Sequence, residues 1–339
     1  MKVLVTGGTG FVGAHAVAAA VRSGHDVRLL VRRPEQVDVS LAPLGVQVRD
    51  VVVGDALDEA SVTRAVDGCE AVVHAAAVYS LDPRRAAEVR RTNRRATELV
   101  LRQAVAHGLD PVVQVSSTVA LTRYGGSAPQ LPLGDIELPY TQSKIDSERV
   151  ARELATAGAP VVSIYPGAVY GPDDPYRGAE GERLRWILLG RFPLWPIGGM
   201  HVVDVRDAAA TIAATLQRGR GPRRYVVPGH HMDGALLYGT FAEVTGRRFP
   251  HLLLPGSMIG PATRLIDAVQ RQLPQRWHYP ADREGTELLR RNTRFDDSAA
   301  REDLGIQARP FADTIADTIR WLVRSGRVPA RCAGRLDAA

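Results

Sequence analysis

With 339 residues, 45% of them hydrophobic and 24% charged, the chain is long enough to bury a full α/β core and too apolar for extended disorder or a fibrous repeat. Its net charge of +6 comes largely from Arg residues scattered through helical stretches, which reads as a solvated basic face; no nucleic-acid partner is expected. Cys69 and Cys332 lie too far apart for a disulfide framework or a zinc spacing, so no metal is expected and a reducing, cytoplasmic setting fits.

The chain opens on an apolar strand-like run at 3–5 that enters a glycine motif without the basic and apolar regions of a cleavable signal. That motif, Thr6-Gly7-Gly8-Thr9-Gly10-Phe11-Val12-Gly13, spaces Gly7, Gly10 and Gly13 by three ahead of a helical pattern from Ala14 to Arg22. A strand, a glycine turn and a helix N-terminus in this order let the backbone approach a pyrophosphate, whose charge meets free N–H groups and the helix dipole. The next run, 27–31, ends in Arg32 and Arg33, about 20 residues beyond the last glycine, where an acid would bond the ribose of NAD. A guanidinium there suits the 2′-phosphate of NADP, although both arginines also read as solvated surface residues. Asp55, after the following strand-like run, can accept from an adenine amino group or cap a helix; a second helical pattern spans Asp58 to Val66.

Further apolar runs at 71–76, 112–116 and 161–165 alternate with helices, as strands buried on both faces of a parallel sheet do. The arginines of 84–95 read as an exposed helix face. Ser116, Ser117 and Thr118 leave the end of one run, at the sheet edge where ligands bind, and any of the three can orient a substrate oxygen. Tyr140 and Lys144 stand four apart and share a helical face, so that the ammonium favours phenolate and the phenol can exchange a proton near neutral pH.

From about Tyr170 the texture turns to Pro, Gly and Trp, and a substrate lobe is expected over 170–330, interleaved with a first domain over 1–169 by a returning strand near 201–228. The apolar residues 186–197 and 252–258 read as its pocket wall, ahead of any membrane contact, since no run approaches the ~18 residues a span needs. His230 and His231 read as plain surface histidines, and the bulky Trp277 as core or wall. The tail over 331–339 is expected to fray.

Taken together, TGGTGFVG, HAAA at 74–77, VSS at 115–117, YTQSK at 140–144, YPGAVYGP at 165–172 and HVVDVRDAA at 201–209 resemble the extended short-chain dehydrogenase/reductase (NAD-dependent epimerase/dehydratase) family. Its dihydroflavonol-reductase-like and hydroxysteroid-dehydrogenase-like members are the most similar. The resemblance implies an α/β fold, a Rossmann doubly wound parallel sheet with a smaller, mixed C-terminal lobe. It implies Tyr140 as acid/base, Lys144 on the nicotinamide ribose and Ser117 polarising the substrate oxygen. Thr6, Gly7, Thr9, Gly10, Phe11, Val12, Gly13, Arg32, Arg33, Asp55, Ala56, Ala75, Ala76, Ala77, Tyr165, Pro166 and Val169 are then expected around the cofactor, NADP, with NAD as the other choice. Asn93 sits where the family has its NVxGT segment, but Ala96 replaces the glycine, which leaves Asn93 a helix-to-sheet brace. The expected activity is the interconversion of a ketone or aldehyde and an alcohol on a small, largely apolar substrate. Two other readings stay open: a nucleotide-sugar epimerase or dehydratase that retains NAD, and a catalytically silent NADP-sensing protein. Homodimerisation stays open as well.

Overall fold

The computed structural model describes residues 1–78, 85–123, 131–176, 178–270, 272, 279–281 and 283–336, with the backbone alone at 86, 257, 262 and 267. Trp277 lies outside the described residues. In chain order the strands are β1 (Lys2–Thr6), β2 (Asp26–Val31), β3 (Asp50–Val53), β4 (Ala71–His74), β5 (Val112–Val115), β6 (Val161–Tyr165), β7 (Ala168–Tyr170), β8 (Leu194–Pro196), β9 (Gly199–Asp204), β10 (Arg223–Val226), β11 (His230–Asp233) and β12 (Leu252–Leu254). The helices are α1 (Phe11–Arg22), α2 (Gln36–Leu41), α3 (Glu59–Val66), α4 (Ala86–Ala106), α5 (Pro139–Thr156), α6 (Ala179–Leu188), α7 (Val205–Ala214), α8 (Gly234–Thr245), α9 (Gly256–Gln270), α10 (Arg283–Arg291), α11 (Ser298–Leu304) and α12 (Phe311–Arg324).

Seven strands pair in the order β3-β2-β1-β4-β5-β6-β10, all parallel. The order reverses at β1, so the crevice beyond the carboxyl ends of β1 and β4 is the place where such sheets take ligands. Both faces are buried because successive residues feed opposite cores. Val3, Val5, Val73 and Val113 join one cluster with residues of α1 and α7. Leu4, Val72 and Val112 join another with residues of α3, α4 and α5. This is why the strands read as unbroken apolar runs rather than alternating ones.

The expected helix from Ala14 begins three residues earlier, since the glycine turn closes at Gly10, which caps α1. The helix expected from Asp58 starts at Glu59, with Asp58 as its cap accepting from the N–H of Ser61 at 3.0 Å. The returning strand is β10, seated on the outer edge of β6.

Beyond β6 the chain builds a second core. Phe311, Ile315, Ile319 and Leu322 form one face of α12 and meet Leu184, Ile187 and Leu188 of α6, Phe241 of α8 and Val202 of β9. A three-stranded sheet, β11-β9-β7, and the pair β12-β8 belong to the same half of the chain. Cys332 and Ala333 are buried in this core and the N–H of Arg335 donates to Thr245, so the described part of the tail is packed rather than frayed.

Two glycines of the β1–α1 turn are demanded by space. Gly7 has φ +74°, and a Cβ there would stand 2.5 Å from the backbone N of Ala76; a Cβ on Gly13 would stand 2.0 Å from the Gly7 carbonyl oxygen. Backbone cannot yield as a flexible side chain does. Gly13→Ala is therefore expected to cost about 1–3 kcal/mol in denaturant unfolding, whereas Gly239→Ala, at a helical glycine with nothing within 4 Å, should be neutral or stabilising by up to ~1 kcal/mol.

Candidate active site

The turn between β1 and α1 lines a cavity of about 1340 Å³. Gly10 gives α1 no side-chain cap and its first turn holds no acid, so the positive end of the helix dipole faces this space unneutralised. With Gly7 pressed on the chain after β4 and Gly13 on Gly7, the cradle fits a dinucleotide pyrophosphate. Arg32 and Arg33 are exposed at the end of β2 and make no ion pair among the described residues. Asp55 accepts from the N–H of Leu57 at 3.0 Å, closing a turn, while the capping is left to Asp58.

The opposite wall is set by α5. Pro139 stands at its start, which suits a position whose N–H has no helical partner. Tyr140 lines the cavity, and Lys144, one turn on, is buried with its Nζ 5.9 Å from the Tyr140 ring centre. Ser117 also lines the cavity; its hydroxyl donates to the carbonyl of Pro166 at 3.3 Å and accepts from the N–H of Val119 at 3.2 Å. Ser116 points the other way, donating at 2.8 Å to Glu148, so of the two serines only Ser117 faces the cavity. Thr118 lines it as well. Asn93 joins α4 to its surroundings: it accepts from the N–H of Val78 at 2.7 Å and donates to the hydroxyl of Ser143 at 3.1 Å.

Burial lowers the Lys144 ammonium to about 8. The Tyr140 phenol moves in the direction opposite to that expected from its lysine neighbour. Burial, then the carboxylates of Glu284 and Glu180, hold it well above the ordinary tyrosine value. A cation 5.9 Å from the ring, itself poorly solvated, is outweighed by desolvation and two acids.

Of the expected cofactor residues, Gly7, Gly10, Phe11, Val12, Gly13, Ala75, Ala77, Tyr140 and Val169 line the cavity. Thr6, Thr9, Arg32, Arg33, Asp55, Ala56, Ala76, Lys144, Tyr165 and Pro166 lie outside its lining. For Thr6 the reason is a hydrogen bond to His74 at 2.8 Å, which turns the side chain inward. For Tyr165 it is strand alternation: its hydroxyl donates to Glu148 at 2.6 Å, on the α5 side of β6. The apolar wall differs too. Among residues 186–197 only Trp186 lines the cavity; Ile187, Leu188, Phe192 and Trp195 are buried in the second core. Leu252, Leu253 and Met258 are exposed. His230 and His231 are strand residues of β11, bonded to the Arg309 carbonyl and to Asn292, each at 2.8 Å. Among the described residues, no three His, Cys, Asp or Glu side chains cluster to hold a metal.

Residues of α6 and α10 also line the cavity. Glu180 accepts from the Tyr170 hydroxyl at 3.1 Å and pairs with Arg183 at 2.5 Å; Arg183 also donates to the Pro280 carbonyl. Arg185 pairs with Glu182 at 3.3 Å. Glu284 completes the set. The only sequence signal for these residues is the acid-to-Arg i,i+3 spacing in α6, which is equally common on exposed helices.

A parallel sheet with this strand order, a glycine cradle at its switch point and a facing Tyr/Lys/Ser wall define an NAD(P)-dependent oxidoreductase of the extended short-chain dehydrogenase/reductase type. The profile of the NAD dependent epimerase/dehydratase family matches residues 3–227, and the chain belongs to that family. A protein of Synechocystis named dihydroflavonol 4-reductase is 29% identical over 334 residues, covering 96% of this chain and 95% of its own. Sterol demethylase protein B of Methylococcus capsulatus is 28% identical over 332 residues, covering 97% and 100%. Among solved structures, DesIV, a dTDP-glucose 4,6-dehydratase of Streptomyces venezuelae with NAD and TYD bound, superposes with a TM-score of 0.73 at 25% identity, over 96% of this chain and 98% of its own. No helix among the described residues is long and apolar enough to cross a membrane.

Because Tyr165 serves Glu148 rather than the cavity, Tyr165→Phe should destabilise the fold by ~1–2 kcal/mol while changing dinucleotide affinity less than about twofold. Chemical denaturation alongside calorimetric cofactor titration measures both.

Proposed function

We propose that the protein is an NADP-dependent reductase of a largely apolar ketone or aldehyde, with Tyr140 as proton donor. The observation that carries this reading is the placement of Tyr140 and Ser117 on one cavity that the glycine cradle and Trp186 also line. When bound, the nicotinamide supplies the hydride to the carbonyl carbon. The Ser117 hydroxyl orients the carbonyl oxygen, and the Tyr140 phenol delivers the proton that the oxygen takes up. A phenol held protonated suits that direction. Lys144, buried one turn on from Tyr140, would hold the nicotinamide ribose and carries its charge only below about pH 8.

NADP is supported over NAD by Arg32 and Arg33 at the end of β2, where no acid stands to repel a 2′-phosphate. An apolar polycyclic substrate is supported by the relatives named for a dihydroflavonol and a sterol. The arginines best placed for a nucleotide-sugar diphosphate, Arg183 and Arg185, are engaged by Glu180 and Glu182. A second reading, a nucleotide-sugar epimerase or dehydratase that retains NAD, draws on the likeness to DesIV. Comparing the turnover and thermal stabilisation given by flavonoid- or steroid-type ketones with those given by dTDP- and UDP-sugars tests the choice; stabilisation by the sugars alone would overturn the first reading.

Arg32→Asp is expected to weaken NADPH binding by roughly 10–100-fold while leaving NADH binding nearly unchanged, as a charge-assisted phosphate contact is lost. Calorimetry with the two cofactors checks it. Tyr140→Phe should cut turnover by about 10²–10⁴-fold with cofactor affinity intact. In the wild type, reduction should fall as pH rises through about 8, where Lys144 loses its proton; a pH–kcat profile reads that limb.

A further inference from the structure

The first turn of α5 has no cap of its own: Leu138, at the cap position, offers no side-chain hydrogen bond. Its partner comes from the distant helix α10. One carboxylate oxygen of Glu284 accepts from both the backbone N–H and the hydroxyl of Thr141, each at 2.5 Å. Glu284 is 7% exposed and lines the same cavity as Tyr140, the residue next to Thr141. A carboxylate at this point satisfies orphan donors and meets the positive end of the helix dipole, so the energetic reason for its position is local to α5. Its consequence falls on Tyr140. Among the described residues, charged groups that bear on the phenol include Lys144 from α5 itself, Glu284 from α10 and Glu180 from α6, the last already engaged by Tyr170 and Arg183.

We propose that Glu284 is a positioning residue of the active site, which clamps the first turn of α5 through Thr141 so that Tyr140 stays on the cavity wall as a proton donor. This rests on the reading of Tyr140 as the group that exchanges a proton with substrate. Burial and the two acids together keep the phenol protonated, with Glu284 the first of the charges. A neutral side chain of the same shape removes the charge and keeps an acceptor. Tyr140 then ionises more readily, and the preference for giving a proton over taking one weakens.

The test is a pH titration of phenolate absorbance on the cofactor-free protein, with the Tyr140 signal isolated by subtracting the Tyr140→Phe protein from wild type, and Glu284→Gln/Tyr140→Phe from Glu284→Gln. The expected result is a Tyr140 signal displaced to lower pH in Glu284→Gln, and displaced by a smaller amount in Glu284→Asp, which keeps the charge but draws it back from Thr141. If Glu284→Gln does not fold, the Glu284→Asp displacement decides. A Tyr140 signal that stays in place, together with a lowered melting temperature, would make Glu284 a structural cap only and overturn the proposal. The rate of NADPH oxidation with 2-decalone as probe ketone is measured alongside. Retention of the wild-type rate by Tyr140→Phe would sink the reading of Tyr140 instead, whatever the Glu284 titration shows.

Discussion

The buried carboxylate of Glu148 is the contact on which the geometry of the site depends. It is fully enclosed, and it accepts from Ser116 at the end of β5, from Tyr165 at the end of β6 and from the Arg152 guanidinium one turn along its own helix. A carboxylate removed from water is costly unless its lone pairs are filled, and three donors from three elements fill them here. Any slip of α5 along the sheet breaks at least two of these bonds at once. Tyr140, Lys144, Glu148 and Arg152 follow one another at four-residue spacing, so the contact that anchors Glu148 also fixes the ridge on which Tyr140 and Lys144 stand.

The far end of the same helix is held by different means. Where Glu148 ties α5 to the sheet, Glu284 ties its first turn to α10, an element of the chain's second half. The helix that carries Tyr140 is thus held by two carboxylates contributed by opposite parts of the sequence. Ser117 needs neither: its neighbour Ser116 is taken by Glu148, and its own hydroxyl is oriented by Pro166 and Val119. Adjacent serines are divided between scaffold and cavity by the side of the sheet each one leaves.

Much of this was legible in the sequence wherever a local rule forces the residue. Gly7 and Gly13 are backbone-on-backbone contacts that no other residue tolerates, and the Tyr140–Lys144 spacing is a property of any helix. The division between Ser116 and Ser117 was legible in principle: Val112 faces the α5 side and Val113 the other, and counting by two places Ser116 with Val112. The same count puts Tyr165 on the α5 side with Val161, away from the cofactor, but an unbroken apolar run conceals which parity faces which layer. The pairing of the α6 charges was not legible. In α6 the apolar residues Ile187 and Leu188 turn to the second core, and the charged residues Glu180, Glu182, Arg183 and Arg185 line the cavity beside Leu184 and Trp186, a more polar wall than the sequence suggests. Glu284 could not be found at all, since its partner lies 143 positions away and neither end carries a motif.

Lys144 shows what the site costs the fold. Burial takes its ammonium from the ordinary 10.5 to about 8, so between those values the unfolded chain holds a proton that the folded chain has released. The folded state therefore gains stability as pH rises through that window, and at neutral pH it carries the buried charge at a penalty on the order of 3 kcal/mol. A lysine kept only for packing would be replaced by an apolar residue to advantage. Lys144 lies behind the cavity wall, one turn on from Tyr140, while Arg183 and Arg185 on that wall are each paired with an acid. The phenol, by contrast, answers mainly to its burial and to Glu284 and Glu180, so the charges that set its ionisation come from α10 and α6 rather than from its own helix.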